Sequence, residues 1–230
     1  MRTLYLLPGL LCDAATFAPQ LEALRGAYDV RVPDFFGFDS IPAMAASVLL
    51  GAPERFAVLG FSMGGRVALE VLRQAPERVT HLGLLATGAH PRAEGEEGPR
   101  KVLTDLSAAQ GMAALAARWL PPMLSEASAA DPLIMGIATA MVCRATPEIH
   151  ARQIRALLNR PDASVQLSSI SVPTLVVAGE KDRWATPAQH EKLAAAIPGA
   201  VLKVIEGSGH FVPLEAPAPF TAALRDWLAE

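Results

Sequence analysis

The sequence predicts an α/β fold: a mostly parallel, doubly wound sheet of about six strands, interrupted by a helical cap insertion. Three observations lead there. Short apolar runs bounded by turn residues alternate with helix-like segments, the pattern of strands joined by helical crossovers. These runs are continuously apolar rather than alternating, as strands covered on both faces must be. Between about residues 90 and 170 the alternation stops and the composition turns helical and rich in alanine.

The first strand is read at Thr3 to Leu7, followed by a helix over Phe17 to Arg25 and a strand at Asp29 to Val32. A helix over Ile41 to Leu50 leads to the third strand, Phe56 to Leu59, and a helix over Arg66 to Gln74 leads to the fourth, Leu82 to Ala86. The insertion opens with the polar stretch Pro91 to Pro99, and helices are expected near Val102 to Gln110, Met112 to Leu120, Leu133 to Arg144 and Pro147 to Asn159. The last of these has Thr146 as N-cap and Pro147 at the first helical position, where a missing N–H is harmless. Strands resume at Thr174 to Ala178 and Val201 to Ile205 around a helix over Pro187 to Ala196, and the chain closes with a helix over Pro219 to Ala229. Residues 1–90 and 171–230 are thus expected to form the core domain and residues 91–170 the cap. Right-handed crossovers carry the C-terminal ends of all the strands to one edge, where open α/β sheets place their ligands.

A chain of 230 residues that is 51% hydrophobic can bury one substantial core. Its net charge of −3, with 20 basic residues scattered along the chain, supplies no positive field for nucleic acid. Cys12 and Cys143 fit neither a metal-ligand spacing nor a disulfide framework, and are read as reduced thiols of a cytoplasmic protein. Arg2 and the apolar residues before Cys12 superficially resemble a lipid-attachment signal. Pro8-Gly9 breaks that run, however, and cleavage would remove a central strand, so no signal is expected. No stretch has the roughly 18 apolar residues of a membrane span, and no membrane partner is expected.

The chemistry concentrates in three places. Gly60-Phe61-Ser62-Met63-Gly64 follows a strand and opens a helix, the setting in which G-x-S-x-G forces a serine into a sharp turn and projects its hydroxyl. Asp182 stands in Gly179-Glu180-Lys181-Asp182, just beyond the strand ending at Ala178. His210 stands in Gly207-Ser208-Gly209-His210-Phe211, just beyond the strand ending at Ile205. All three therefore lie at the same sheet edge, in the chain order serine, acid, histidine. A serine hydroxyl needs a base to become a nucleophile, and a histidine that titrates near neutrality can take its proton and later return it. An aspartate on the other imidazole nitrogen fixes the tautomer and stabilises the imidazolium. Ser62, His210 and Asp182 are the expected catalytic residues. For the developing oxyanion the backbone N–H of Met63 is one candidate donor, and the loop Pro8-Gly9-Leu10-Leu11 offers a second at Leu10 or Leu11, with Leu10 favoured by the turn at Gly9.

On these motifs, with Pro187 after the aspartate and Leu214-Glu215 after the histidine, the chain resembles the α/β-hydrolase superfamily over nearly its whole length, specifically its esterase-like branch with a helical cap. The resemblance implies hydrolysis of an ester-like bond through an acyl-serine. In two respects the chain departs from the pattern. The loop that usually begins His-Gly reads Pro8-Gly9, and the first strand comes too early in the chain to be preceded by the family's usual first two, which leaves a sheet of about six.

The expected substrate is a small acyl compound: a carboxylic ester, thioester or lactone. Leu11, Trp119, Trp184 and Phe211 are the candidate pocket residues, with Met135 and Met141 near them in the reading. An alternative within the fold is a carbon–carbon bond hydrolase acting on a diketone, with Arg118, Arg144, Arg152 and Arg155 available for a substrate carboxylate. A ligand-binding module that keeps the fold without turnover is the alternative of another class. No nucleotide fingerprint and no metal-ligand cluster is seen, so no cofactor and no metal is expected.

Overall fold

The computed structural model describes residues 2–230. Its strands are β1 (Arg2–Leu7), β2 (Tyr28–Arg31), β3 (Phe56–Phe61), β4 (Val79–Leu85), β5 (Thr174–Gly179) and β6 (Val201–Ile205). The helices are α1 (Ala18–Ala23), α2 (Ile41–Gly51), α3 (Met63–Gln74), α4 (Glu97–Trp119), α5 (Glu126–Ala130), α6 (Pro132–Cys143), α7 (Pro147–Leu158), α8 (Pro187–Ala195), α9 (Val212–Glu215) and α10 (Pro217–Leu228). The six strands form one sheet in the order β2-β1-β3-β4-β5-β6, and every neighbouring pair is parallel.

Because side chains alternate across a strand, each strand feeds two cores. Leu4, Leu6, Leu59, Leu175 and Val177 point to the face covered by Phe17 and by Phe220, Leu224 and Trp227 of α10. Tyr5, Leu7, Val58 and Val176 point to the other, covered by Ile41 and Met44 of α2, Val67 and Val71 of α3, and Leu193 of α8. The winding reverses between β1 and β3, since the chain leaves β1 for β2 on one side and returns to β3 on the other. The loops after β1 and β3 therefore diverge, and open a crevice at their carboxyl ends.

Helices α4 to α7 fill the interval between β4 and β5. The break expected between residues 110 and 112 is present: Gly111 has φ 81°, ψ 176° inside α4, a conformation only glycine adopts readily, and the two halves of α4 kink there. Thr146 caps α7 by accepting the Ile149 N–H, with Pro147 in the first turn.

Several boundaries differ from expectation. The helix expected over Phe17 to Arg25 begins as a 3-10 turn at Ala14–Phe17, capped by Asp13, and is helical only over Ala18–Ala23. β3 runs on to Phe61, which pairs with Leu85, and β4 starts at Val79. The short helices α5 and α9 have too few residues to show a period and were not foreseen.

Candidate active site

Ser62 follows β3 directly and precedes α3, with φ 54° and ψ −112°. A left-handed φ in a residue with a Cβ is strained, and persists only where neighbours enforce it. Here they are close-packed backbones. A Cβ on Gly60 would overlap the Gly64 carbonyl, and one on Gly64 would overlap the Leu7 carbonyl. The Ser62 N–H donates to Leu85 O at 2.8 Å and Thr87 Oγ1 donates to Ser62 O at 2.7 Å, so the turn is held from β4 as well.

The loops after β5 and β6 are laced together. Lys181 N–H donates to Ser208 O at 2.8 Å, Gly207 N–H donates to a Glu180 carboxylate oxygen at 2.9 Å, and a Cβ on Gly179 would overlap the Gly209 carbonyl. This lacing sets Asp182 and His210 side by side. His210 Nδ1 lies 2.7 Å from Asp182 Oδ2, and His210 Nε2 lies 3.0 Å from Ser62 Oγ. Asp182 Oδ1 accepts the Trp184 and Ala185 N–H groups at 2.8 and 3.0 Å. Burial alone would push the Asp182 carboxyl up. The His210 hydrogen bond and charge and the two backbone donors outweigh it and hold the carboxyl below the usual range. The acid is thus an anion at neutral pH, and the Nδ1 proton belongs on His210.

The sequence carries the signature of one family over almost its full length: the model described as "Alpha/beta hydrolase family" matches residues 4–223. The chain belongs to that family. This hydrolase is 27% identical over 240 residues to the biotin biosynthesis bifunctional protein BioHC of Cellvibrio japonicus, matching 97% of its own length. It spans only about half (47%) of that longer protein. Its fold superposes on a thermophilic esterase from Thermogutta terrifontis with a TM-score of 0.90 at 27% identity, covering 100% of this chain and 90% of the other. With the enol-lactonase from Burkholderia xenovorans LB400 the TM-score is 0.88 at 27% identity, covering 100% and 92%.

In the hydrolase, the loop after β1 lies against the serine. A Cβ on Gly9 would stand 3.3 Å from Ser62 Cβ and 3.1 Å from the Phe61 ring. Leu11 is strained like Ser62, with φ 57°, and its N–H donates to Gln153 Oε1 at 2.8 Å. Among the described residues neither the Leu10 nor the Met63 N–H has an acceptor.

Of the expected pocket residues, Leu11, Trp119 and Phe211 fall in one buried apolar cluster with Met123, Leu124 and Met141. The Phe211 ring meets those of Phe61 and Trp119 edge-on, at centroid distances of 5.3 and 6.4 Å. Trp184 is not brought to them: its side chain is 52% exposed, and only its backbone N–H serves the site, on Asp182. Two of the cap arginines are also elsewhere engaged. Arg144 makes a two-pronged contact with Asp13 at 2.6 and 2.9 Å, and Arg155 bonds Asp39 at 3.0 Å. A cleft of about 720 Å³ on the outer side of α4, lined by Val102, Leu106 and Arg118, contains none of Ser62, Asp182 and His210, so open volume does not mark this site.

Sequence reasoning gave no role to three supporting side chains, although Glu215 stands in the motif after His210. Glu215 accepts the Ser125 and Gly209 N–H groups on Oε2 and the Phe211 N–H on Oε1, at 2.8, 2.9 and 2.9 Å, and so grips the turn that carries His210. His190 is fully buried in α8; its Nε2 accepts the Thr87 N–H at 3.0 Å while Nδ1 faces Thr186 O at 3.0 Å, which fixes a neutral tautomer. Gln153 takes the Leu11 N–H from α7 and donates to Phe35 O. His150 on α7 faces Ser107 Oγ at 2.9 Å, and burial and the Arg100 charge push its pKa down to about 4. Cys12 is buried, its thiol donating to Leu10 O at 3.3 Å, and burial pushes its pKa up to about 12, whereas Cys143 is exposed. No helix among the described residues is long and apolar enough to cross a membrane, and no group of three metal-ligating side chains converges among them.

Proposed function

We propose that this protein hydrolyses a carboxylic ester, thioester or lactone of a small molecule through an acyl-serine formed on Ser62, with α4 to α7 forming a cap over the reacting edge. One observation carries the reading: the unbroken chain from Ser62 Oγ through His210 to Asp182, with spacings of 3.0 and 2.7 Å, on a serine held at φ 54°.

The geometry performs the reaction in two displacements. Ser62 Oγ attacks the acyl carbon while its proton passes to His210 Nε2. Asp182, already accepting from Nδ1, stabilises the imidazolium and stays unprotonated. The carbonyl oxygen becomes an oxyanion that takes the N–H groups of Leu10 and Met63, at the positive end of α3. Collapse expels the alcohol or thiol, which leaves with the proton held on His210 Nε2. Water then attacks the acyl carbon, giving its proton to the same nitrogen, and the acid departs as Ser62 is restored. The buried cluster of Leu11, Trp119, Met141 and Phe211 supports an apolar acyl group. The pairing of Arg144 and Arg155 with core carboxylates supports an ester-type substrate over an anionic diketone.

Intact mass after treatment with a fluorophosphonate probe tests this reading. A single adduct on the wild type, absent from Ser62→Ala, together with turnover of an ester panel, is the expected result. A folded wild type that takes no adduct and turns over nothing makes the chain a binding module.

A further inference from the structure

Resting on the reading of Ser62 as nucleophile, we propose that Gln153, on the cap helix α7, is a positioning residue for the oxyanion hole: by taking the Leu11 N–H it leaves the Leu10 N–H to the reacting oxygen. The loop after β1 presents two successive N–H groups near Ser62, and a donor must be chosen between them. Gln153 makes the choice. It is fully buried, accepts the Leu11 N–H on Oε1 at 2.8 Å and donates from Nε2 to Phe35 O at 3.3 Å, so its amide is oriented at both ends.

The remaining bonds of the loop point the same way. In a trans peptide the C=O and N–H of one plane are antiparallel, so holding one aims the other. The Leu10–Leu11 peptide is held at both ends, its carbonyl by the Cys12 thiol and its N–H by Gln153. The Gly9–Leu10 peptide is held at its carbonyl, which accepts the Cys12 N–H at 3.2 Å. That leaves the Leu10 N–H as the free end, on a peptide whose Gly9 Cα lies against Ser62. The left-handed φ of Leu11 is a conformation the loop would leave if its N–H lost this acceptor. Gln153 belongs to the cap, so the cap completes the oxyanion site as well as covering it.

The test compares wild type with Gln153→Met, which keeps the shape and removes the acceptor, on a short-chain nitrophenyl ester with an alkyl boronic acid as tetrahedral mimic. The expected result is kcat lowered about 10–100-fold with KM within about twofold, and boronic acid affinity weakened by the same factor. Ile154→Ala removes a buried apolar side chain of the same helix without removing a hydrogen-bond acceptor from the loop, and is expected to keep kcat. Amide spectra of the wild type give a measurement that needs no variant to fold: Leu11 is expected to be protected from exchange in the free protein, and Leu10 to become protected only with the boronic acid. A Gln153→Met protein with unchanged kcat, a parallel loss in Ile154→Ala, or boronic acid protecting Leu11 instead of Leu10 would each overturn the inference while the serine reading stands. A wild type that takes no fluorophosphonate overturns both.

Discussion

The sheet and helices α4 to α7 meet different demands. In the sheet, Leu4, Leu6, Val58, Leu59 and Val176 are wholly buried, and position comes from apolar burial and the backbone ladder. The segment from α4 to α7 buries Leu115, Trp119 and Met141 too, but its fine seating is polar: Arg144 to Asp13, Arg155 to Asp39, Gln153 to Leu11 and Phe35, Ser125 to Glu215, and Met123 O to the His210 N–H at 2.8 Å. Apolar burial is nondirectional and sets how firmly elements stay together, whereas a hydrogen bond fixes where its partners stand. The sheet thus supplies the frame for Ser62, and the segment from α4 to α7 supplies directional ties to the loops that carry Leu10 and His210.

The largest expected effect breaks the frame's chemistry without touching the frame. Ser62→Ala should lower kcat on an ester by on the order of 10⁶-fold, with a thermal midpoint near that of wild type by scanning calorimetry.

Breaking the tie at Glu215 should affect both regions. Glu215→Gln turns an amide N–H₂ toward N–H groups that had a carboxylate, and is expected to destabilise by about 3 kcal/mol, or roughly 6–12 °C in thermal midpoint. Because the His210 turn is released, kcat should fall about 10–100-fold; an unchanged kcat in a folded variant would make Glu215 purely structural.

Acid should destabilise the fold through one buried histidine of α7. His150 stays neutral in the folded protein down to about pH 4, held by burial and the Arg100 charge, while the unfolded imidazole protonates near 6.5. Across that window the unfolded chain binds the extra proton, so stability falls as pH falls, by up to about 3 kcal/mol from this residue. In His150→Gln the difference between urea-unfolding free energies at pH 7 and pH 4.5 should shrink by about 2–3 kcal/mol.

The smallest effect sharpens the comparison from the other side. The Arg144–Asp13 pair is half exposed, so Arg144→Met should cost about 0.5 kcal/mol and leave kcat unchanged, since the Gln153 and Glu215 hydrogen bonds remain. A large kcat loss here would mean that exposed ties also aim the site.

The sheet was legible because six apolar runs and their turn residues repeat one signal; β5 was foreseen to within a residue, and the two helices expected over Val102 to Gln110 and Met112 to Leu120 meet in a kink at Gly111. The spacing of Ser62, Asp182 and His210 on post-strand loops was legible for the same reason: each side chain's place follows from its strand. Gln153 was not, because a glutamine on an amphipathic helix carries no pattern, and Glu215 was legible only as a member of the motif after His210, without the role its carboxylate plays. Their roles appear only when distant backbone N–H groups are brought to them. Trp184 misled in the opposite sense. A large apolar residue beside Asp182 reads as pocket, yet the turn that aims two N–H groups at the carboxylate leaves the indole in solvent.

The contrast between the two cysteines gives the protein a built-in handle. Cys12 is sealed in the interior with its thiol protonated at any working pH, while Cys143 ends α6 with its thiol exposed. A maleimide should therefore attach at Cys143 and not at Cys12 in the folded protein, which marks the end of α6 without a single engineered residue.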